Sequence, residues 1–399
     1  MEQFAAIDLG SNSFHLVVAR EEENALTIID REREMVRLSA GLDKAGLLTD
    51  KASERALDCL ARFGERLRGL KPDNVRVVGT NALRKAKNSR QFIAQAEKAL
   101  GFSIEIISGL EEARLVYLGA AQTLQGDRGR RLVVDIGGGS TEIIVGDKSE
   151  PVFLESVYVG CVSSSERFFP DNEYKRANMQ RAILRAELQL EPCSKTLKSL
   201  APDDVIGTSG TARAIANVLH ENGWSETGIT HKGLDKLVNK IVKAGKLEKL
   251  RINGLSEERR PVFAGGVAVM MAIFNTLDLE FMRISEGSLR EGVLHDLIGR
   301  VLYEDRRAIT VSDVMKRHHI DVEQGDRVRH TTLMLFDQVQ QQQGLLDRER
   351  RLLGWAGQLH EIGLMIAHSQ YHKHGGYVLA NMDLPGFSRQ EQGLSLIHI

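Results

Sequence analysis

An internal duplication constrains the fold of this 399-residue chain more than any other feature. Residues 5–19 (AAIDLGSNSFHLVVA) and 133–146 (VVDIGGGSTEIIVG) share one pattern: a β-branched strand, an Asp, a small, polar, glycine-containing turn and a second apolar strand. Each segment predicts a β-hairpin whose turn lets a ligand approach the backbone closely. A single hairpin of this kind would be equally well explained as a structural turn.

A second pair of matching segments repeats at the same distance along the chain. Residues 75–86 (VRVVGTNALRKA) and 205–215 (VIGTSGTARAI) each predict a strand that ends at Gly-Thr and is followed by a helix containing an arginine. The two copies are 127 residues apart at the hairpin aspartates and 128 apart at the glycine of Gly-Thr. Two motif pairs that share one offset indicate a duplicated domain.

The two hairpin turns have the composition of phosphate-binding loops. Gly, Ser and Thr present backbone N–H groups and hydroxyls to phosphate oxygens, and an Asp at a strand end can hold a divalent cation that bridges them. Two such turns facing each other would grip a phosphate chain from both sides. The formal net charge is only -1, so any polyanion site must be local, and neither nucleic acid nor a membrane is an expected partner.

The chain is long enough for more than one core, and its patterns predict three domains. Strands alternate with amphipathic helices at first, which predicts α/β domains at 1–123 and 124–304. The strand signals then stop, which predicts an all-α domain at 305–399 with one of its helices at 348–367.

The expected location of the chain is the cytoplasm. Its N-terminus has no basic run followed by an apolar stretch, and so it does not predict a secretory signal. The longest apolar stretch, 262–274, is too short to span a membrane and favours a buried core helix. Three widely spaced cysteines predict neither a disulfide framework nor a cysteine zinc site, which fits a reducing compartment.

Six motifs in a fixed order resemble one enzyme family. They are DLGSNSFHLVV, VVGTNALRKA, ISGLEEARLVYLGA, VVDIGGGSTE, GTSGTARA and SEGSLREGVL. Their order is similar to that of the exopolyphosphatase and guanosine pentaphosphate phosphatase family, over essentially the whole chain. The resemblance implies an α/β fold of duplicated actin/Hsp70-like (ribonuclease H-like) domains with a C-terminal all-α HD-like domain. It also implies Mg²⁺ and a homodimer, and a monovalent cation such as K⁺ is a second candidate cofactor.

The resemblance implies roles for the acidic residues and for both turns. The second Glu of SGLEEAR, Glu112, matches the family's general base, whereas Glu111 is explained by the favourable effect of an acidic residue in a first helical turn. A carboxylate at 112 could deprotonate a water that attacks a phosphate, provided that Mg²⁺ neutralises the charge of the phosphate oxygens. The implied metal ligands are Asp8, Asp135 and Glu142. The implied phosphate ligands of the turns are Ser11, Asn12, Ser13, Gly137, Gly138 and Ser140.

The Gly-Thr segments and residues 285–294 supply further candidates. Arg84 and Arg213, related by the duplication, could bind a polyanion beyond the reacting phosphate, or they could be solvated surface arginines. Segment 285–294 either lies near the cleft or is only a strand-to-helix turn with an internal Arg–Glu pair. The expected substrate contacts of the second Gly-Thr turn are Thr208, Ser209 and Gly210.

The predicted helical domain contains a cluster of histidines. His360 and Glu361 resemble part of an HD metal motif, but Glu361 replaces the Asp of that motif, which disfavours metal catalysis here. His368, His372 and Lys373 are instead expected to hold the distal end of a long substrate. The last residues, LSLIHI, do not resemble the family's continuation, so a truncated domain with a foreign tail is expected.

The leading hypothesis is an exopolyphosphatase that releases orthophosphate from the end of inorganic polyphosphate. Gly139 and the stretch 368–374 (HSQYHKH) resemble that branch of the family. The first alternative is a guanosine pentaphosphate (pppGpp) 5′-phosphohydrolase, which performs the same chemistry on a nucleotide. The Glu112 motif disfavours a sugar kinase-like enzyme or another actin-like ATPase. The intact acidic set disfavours a non-catalytic polyphosphate-binding protein.

Overall fold

The computed structural model describes residues 2–22, 25–43, 45–123, 129–148, 150–302 and 305–397. The chain divides into two compact units. Unit 1 comprises Met1–Ile104 and Glu112–Leu297, and unit 2 comprises Glu105–Glu111 and Ile298–Ile399. The boundaries predicted at 123/124 and 304/305 involve residues outside the described ranges, and they stay predictions.

Two mixed β-sheets carry the duplication. The strands of the first sheet are β1 (Gln3–Leu9), β2 (Phe14–Glu22), β3 (Ala25–Glu34), β4 (Val75–Gly79) and β5 (Ile104–Ile106). The strands of the second are β6 (Arg130–Ile136), β7 (Thr141–Asp147), β8 (Glu150–Val157), β9 (Asp204–Thr208), β10 (Ile229–Thr230) and β11 (Phe281–Ile284). Within the described residues the strand orders are β3-β2-β1-β4-β5 and β8-β7-β6-β9-β11-β10. The first five positions of the two sheets therefore correspond.

Both predicted hairpins are present and are built alike. Strand β1 pairs antiparallel with β2 and parallel with β4, and β6 pairs antiparallel with β7 and parallel with β9. Asp8 lies opposite His15 in the first hairpin, and Asp135 lies opposite Glu142 in the second. The prediction of a duplicated α/β fold is confirmed. Its parallel strands end at the same edge as the two turns, which brings the motifs together.

The helices follow the apolar periodicity of the sequence for the most part. They are α1 (Asp50–Arg66), α2 (Asn81–Lys85), α3 (Ser89–Leu100), α4 (Gly109–Thr123), α5 (Cys161–Phe168), α6 (Arg176–Ser199), α7 (Ser209–Glu221), α8 (His231–Ala244), α9 (Arg260–Leu277), α10 (Leu289–Leu302), α11 (Arg306–Arg317), α12 (Val322–Gln343), α13 (Asp347–Gln358), α14 (Tyr371–Asn381) and α15 (Arg389–Ile397).

Helix α9 is the one helix in the described part of the chain that is long and apolar enough to cross a membrane. Most of it is buried inside unit 1, where it packs against α5 and α6. The interpretation of 262–274 as a core helix is confirmed. The three cysteines are free and buried.

Unit 2 is helical in its C-terminal part, as predicted. Its core includes the ring pair Trp355 and Phe387, whose centroids are 5.5 Å apart in an edge-to-face arrangement. The Arg307 guanidinium lies 4.9 Å from the centre of the Trp355 ring and donates to the buried Glu391 carboxylate at 2.5 Å. This pairing satisfies a charge that would be costly to bury alone. The expected foreign tail, 394–399, falls largely outside the described part of the chain. Residues 398–399 and the side chains of 394–397 are not described.

The prediction of one helix over 348–367 is wrong beyond Gln358. Helix α13 ends there, and a short 3₁₀ helix follows at Ile362–Met365. Gly363 lies so close to a later segment that an added Cβ would be 1.8 Å from the Tyr371 carbonyl oxygen. This tertiary contact requires a break that helical periodicity does not reveal.

Candidate functional site

The two hairpin turns border one cavity in unit 1. A Cβ added to Gly138 would lie 2.8 Å from the Ser11 Cβ, so the turns approach each other closely. Only glycine permits this approach without a shift of the first turn. The predicted site residues that line the cavity are Asp8, Ser11, Asn12, Ser13, Glu112, Asp135, Gly137, Gly138, Ser140, Glu142, Ser209 and Gly210.

Four carboxyl groups meet at this cavity. Burial raises the pKa of Asp8 well above its usual range, and the negative charges of Glu112 and Asp135 raise it further. Burial also raises the pKa of Asp135 to about 6 and the pKa of Glu142 well above its usual range. The Asp8 Oδ1 atom is buried without a hydrogen-bond partner. A bound cation would offset the repulsion among these groups.

Mg²⁺ fits this set of donors. Among the described residues, no three His, Cys, Asp or Glu side chains are grouped closely enough to hold a metal by themselves. Mg²⁺ prefers oxygen ligands and usually keeps several waters, so one or two carboxylates together with substrate phosphates are sufficient. Asp8, Asp135 and Glu142 remain the predicted ligands, either directly or through water.

Ser209 and Ser288 hold the Asp135 carboxylate. Their hydroxyls donate to Asp135 Oδ2 at 2.5 Å and 3.3 Å respectively, and they are 2.7 Å apart. Ser209 begins α7 with a φ of 65°, a conformation that residues other than glycine rarely adopt. Local backbone strain therefore accompanies the placement of this hydroxyl beside Asp135.

Arg84 and Thr208 make protein contacts near the cavity instead of lining it. The Arg84 guanidinium donates to Glu112 Oε2 at 2.8 Å, and both side chains are buried. Arg84 is therefore not a solvated surface arginine, and it orients the carboxylate predicted to be the base. Thr208 is fully buried and donates to the Gly287 carbonyl oxygen at 2.5 Å. Substrate contacts by these two residues stay predictions.

A chain of hydrogen bonds links segment 285–294 to the first turn. The Ser288 N–H donates to Glu291 Oε2 at 3.0 Å, and Arg290 Nε donates to Glu291 Oε1 at 2.8 Å. Arg290 Nη1 lies 3.2 Å from His15 Nδ1, and His15 Nε2 lies 2.8 Å from the Ser13 hydroxyl. Burial and the Arg290 charge lower the pKa of His15 to about 3. The imidazole is therefore neutral and accepts a hydrogen bond from Arg290. The predicted internal Arg–Glu pair exists, and the segment also lies at the site.

Close backbone contact between α4 and α10 positions Glu112 beside this segment. A Cβ added to Gly119 would lie 2.0 Å from the Ser288 carbonyl oxygen, and one added to Gly292 would lie 1.8 Å from the Leu115 carbonyl oxygen. Neither position has room for a larger residue. The second glycine of SEGSLREGVL thus has a packing role.

We expect Gly292→Ala to lower the free energy of unfolding by about 1–3 kcal/mol, because the extra methyl group forces the two helices apart. The kcat should also fall, since α4 carries Glu112. Thermal unfolding and steady-state kinetics measure both effects. The control is Gly376→Ala in α14, where an added Cβ has no neighbour within 4 Å. A melting temperature unchanged in both variants would contradict the proposed contact.

A second cavity, rich in arginine, adjoins the cavity between the two turns, which we call the carboxylate-lined cavity. The two cavities share Asp8, Ser209 and Ser288. Burial and neighbouring arginine charges lower the pKa values of Arg213 and Arg259. An anionic ligand would relieve this repulsion. The arginines that line the cavity are Arg31, Arg33, Arg213, Arg259 and Arg290.

The structure adds four residues to the candidate site that the sequence does not individually predict. Asn81, Ser288, His15 and Arg259 line the carboxylate-lined cavity. The signal for Asn81 was available, because the duplication pairs it with Ser209. The predicted distal residues His368 and His372 belong to unit 2 and are exposed, and their role in binding stays a prediction.

Comparison with known proteins identifies the family. The profile of the Ppx/GppA phosphatase family matches residues 17–301, and the profile of Ppx/GppA phosphatase, domain III, matches residues 306–397. The chain belongs to the Ppx/GppA phosphatase family. It is therefore a phosphoanhydride hydrolase.

The relatives of this Ppx/GppA phosphatase carry both activity names of the family. A guanosine-5′-triphosphate,3′-diphosphate pyrophosphatase of Aeromonas hydrophila is 41% identical over 392 residues, which is 98% of this chain and 79% of the relative. A solved exopolyphosphatase from Cytophaga hutchinsonii is 25% identical, with a TM-score of 0.68 over 76% of this chain and 99% of that one. The Aquifex aeolicus PPX-GPPA enzyme is 26% identical, with a TM-score of 0.62 over 73% of this chain and 98% of that one.

These comparisons favour the first alternative over the leading hypothesis, since the 41% identical relative carries the nucleotide name. The structure also gives Gly139 an explanation that does not depend on the branch. A Cβ added there would lie 2.6 Å from Asn81 Oδ1. Gly139 therefore leaves room for Asn81 and is a weak indicator of substrate.

Proposed function

We propose that this Ppx/GppA phosphatase is a pppGpp 5′-phosphohydrolase that removes the terminal 5′-phosphate of the nucleotide. The observation that carries the proposal is the 41% identity, over 98% of this chain, to a guanosine-5′-triphosphate,3′-diphosphate pyrophosphatase. The arginine-rich cavity supports it, because a nucleotide with a 3′-diphosphate carries a second cluster of negative charge away from the reacting phosphate.

The terminal phosphoryl group would lie between the two turns. The Ser11 and Ser13 hydroxyls and the backbone N–H groups of Gly138 and Ser140 can donate to its oxygens. The Gly137 N–H instead donates to the Ser140 carbonyl oxygen at 3.0 Å. Mg²⁺ held by the predicted carboxylates would supply neutralisation of the phosphate charge. The lowered pKa of His15 keeps its imidazole neutral. The Nε2 atom of this neutral ring is the hydrogen-bond partner of the Ser13 hydroxyl, at 2.8 Å.

Glu112 would act as the general base. It accepts a proton from a water whose oxygen forms a bond to the terminal phosphorus, while the bond from phosphorus to the bridging oxygen breaks. The products are orthophosphate and the shortened nucleotide. Arg84 holds the Glu112 carboxylate at 2.8 Å and so limits its orientation.

The substrate proposal is tested by measuring orthophosphate release from pppGpp, long-chain polyphosphate and ATP, each with Mg²⁺. We expect the highest kcat/KM for pppGpp, with ppGpp as the other product. A higher kcat/KM for polyphosphate would replace the proposal with exopolyphosphatase activity. Transfer of phosphate from ATP to an added sugar would instead identify a kinase.

We expect Arg213→Ala to raise the KM for pppGpp by about tenfold or more, because a charge-assisted hydrogen bond contributes roughly 1.5–3 kcal/mol. Tripolyphosphate has no second diphosphate, so its KM should change much less. The matched control is Arg181→Ala, which removes an exposed arginine whose partner is Asn178. Equal changes in KM for the two substrates would show that Arg213 does not bind the distal phosphates.

A homodimer and a monovalent cation such as K⁺ as a cofactor remain predictions of the family resemblance, and a cytoplasmic location remains a prediction from the sequence. Binding of a long polyphosphate by His368, His372 and Lys373 also stays a prediction. Each can be measured on the purified chain or in cells without altering the test of substrate preference.

A further inference from the structure

The duplication pairs residues that occupy equivalent places in the two hairpins and Gly-Thr turns. Asp8 corresponds to Asp135 at an offset of 127 residues, and Asn81 corresponds to Ser209 at an offset of 128. Asp8 and Asp135 lie near the ends of β1 and β6, and Asn81 and Ser209 begin α2 and α7. All four line the same cavity.

The second copy satisfies its own polar groups, whereas the first copy does not. Ser209 Oγ donates to Asp135 Oδ2 at 2.5 Å. In the first copy, Asp8 Oδ1 and Asn81 Nδ2 are both buried, and neither has a hydrogen-bond partner. The Asn81 side chain is only 3% exposed. Buried polar groups in folded proteins are nearly always paired, so this asymmetry indicates a ligand that completes the first copy.

The chemistry of the unpaired atom defines what that ligand offers. Asn81 Nδ2 is a hydrogen-bond donor and cannot coordinate a cation. The ligand atom that pairs with this donor must therefore be an acceptor. The carboxylates around the cavity repel one another, so an acceptor that is accompanied by a cation fits there best. Asn12 also lines this cavity, and its Nδ2 donor is likewise buried without a hydrogen-bond partner. Two neutral donors beside a cation site suit the nonbridging oxygens of a phosphoryl group.

We propose that Asn81 is a substrate-binding residue whose side-chain amide donates to a nonbridging oxygen of the terminal phosphoryl group. The inference rests on the proposed phosphohydrolase reaction and applies to any substrate that ends in a phosphoanhydride-linked phosphate. Gly139 is part of the arrangement, because a Cβ at that position would lie 2.6 Å from Asn81 Oδ1. The two copies then have different tasks: Ser209 orients Asp135, and Asn81 contacts substrate.

The test compares three substitutions at position 81 in the full chain. Asn81→Ala removes the donor, and kcat/KM should fall by about 10–100-fold, as expected for loss of a hydrogen bond to a charged group. Asn81→Asp keeps the shape but directs a negative charge at the phosphate, so the loss should exceed that of Ala. Asn81→Ser introduces the residue of the second copy, whose hydroxyl can pair with Asp8, and it should not restore activity.

The control is Asn74→Ala, which removes a buried asparagine that bonds Glu2 and the Gln3 carbonyl oxygen outside the cavity. It should lower the melting temperature and leave kcat/KM within about threefold of the wild-type value, the scatter expected of a remote change. Equal losses for Asn81→Ala and Asn81→Asp, or an Asn81→Ala variant within threefold of wild type, would overturn the proposal. Melting temperatures of all variants separate misfolding from lost binding.

Each variant is assayed with both pppGpp and tripolyphosphate. If the wild-type chain hydrolyses only tripolyphosphate, the proposed substrate is wrong, but the losses at position 81 still test the phosphoryl contact. If both substrates are hydrolysed and the variants lose nothing with either, the Asn81 proposal fails while the proposed function stands.

Discussion

Glu112→Gln is expected to lower kcat by about 10²–10⁴-fold, the usual contribution of a positioned general base. The Glu112 side chain is buried, lines the cavity and is held by Arg84 at 2.8 Å. Glutamine keeps the shape and can still accept from Arg84, but it cannot take a proton from water. Substrate affinity should change little, and a direct binding measurement with pppGpp checks this.

Glu111→Gln is the matched control for this substitution. Glu111 is also buried, but its Oε2 accepts from the Gly386 N–H at 2.9 Å within unit 2. The change should lower the melting temperature and keep kcat within about threefold, since an interaction outside the site is lost. A Glu112→Gln variant that retains more than a tenth of wild-type kcat would exclude Glu112 as the base.

The local parts of the site could be predicted from the sequence. Strand, turn and strand follow each other directly in both hairpins, so the pattern alone indicates that Asp135 lies near Glu142. The common offset of the motifs indicates that the second turn has the same place in its domain as the first. Asp8 and Asp135 also stand out in the sequence, because each lies near a strand end beside a turn. Their role in holding Mg²⁺, which the family resemblance implies, stays a prediction.

The remaining contacts depend on tertiary distances. His15 and Arg290 are 275 residues apart in the chain, so no local pattern predicts that the ring nitrogen and the guanidinium lie 3.2 Å apart. The role of Arg84 as a partner of Glu112 has the same origin. The break after Gln358 is another case, because the close approach of Gly363 to Tyr371 is not encoded in the local helical pattern.

Asp135→Asn is expected to raise the Mg²⁺ concentration for half-maximal activity by about 10–100-fold or more, the range found even for residues outside a metal's direct ligands. Asparagine keeps an oxygen that can accept from Ser209, so the local hydrogen bonds persist, but the negative charge is lost. The measurement is a Mg²⁺ titration of orthophosphate release. An exposed aspartate at the end of β7, replaced in Asp147→Asn, is the control and should leave the titration unchanged.

The same substitution should stabilise the metal-free protein near neutral pH. Burial raises the pKa of Asp135 from 3.8 to about 6, so the folded state holds this proton more tightly than the unfolded state does. The free energy of unfolding therefore falls as pH rises from about 4 through 6, by roughly 1–3 kcal/mol for this group. Asp135→Asn removes that loss, and its melting temperature without Mg²⁺ should exceed that of wild type at pH 8 but not at pH 4.

Added Mg²⁺ should raise the wild-type melting temperature more than that of the variant. A variant less stable than wild type at pH 8, with an unchanged response to Mg²⁺, would show that Asp135 serves the fold and not the cation.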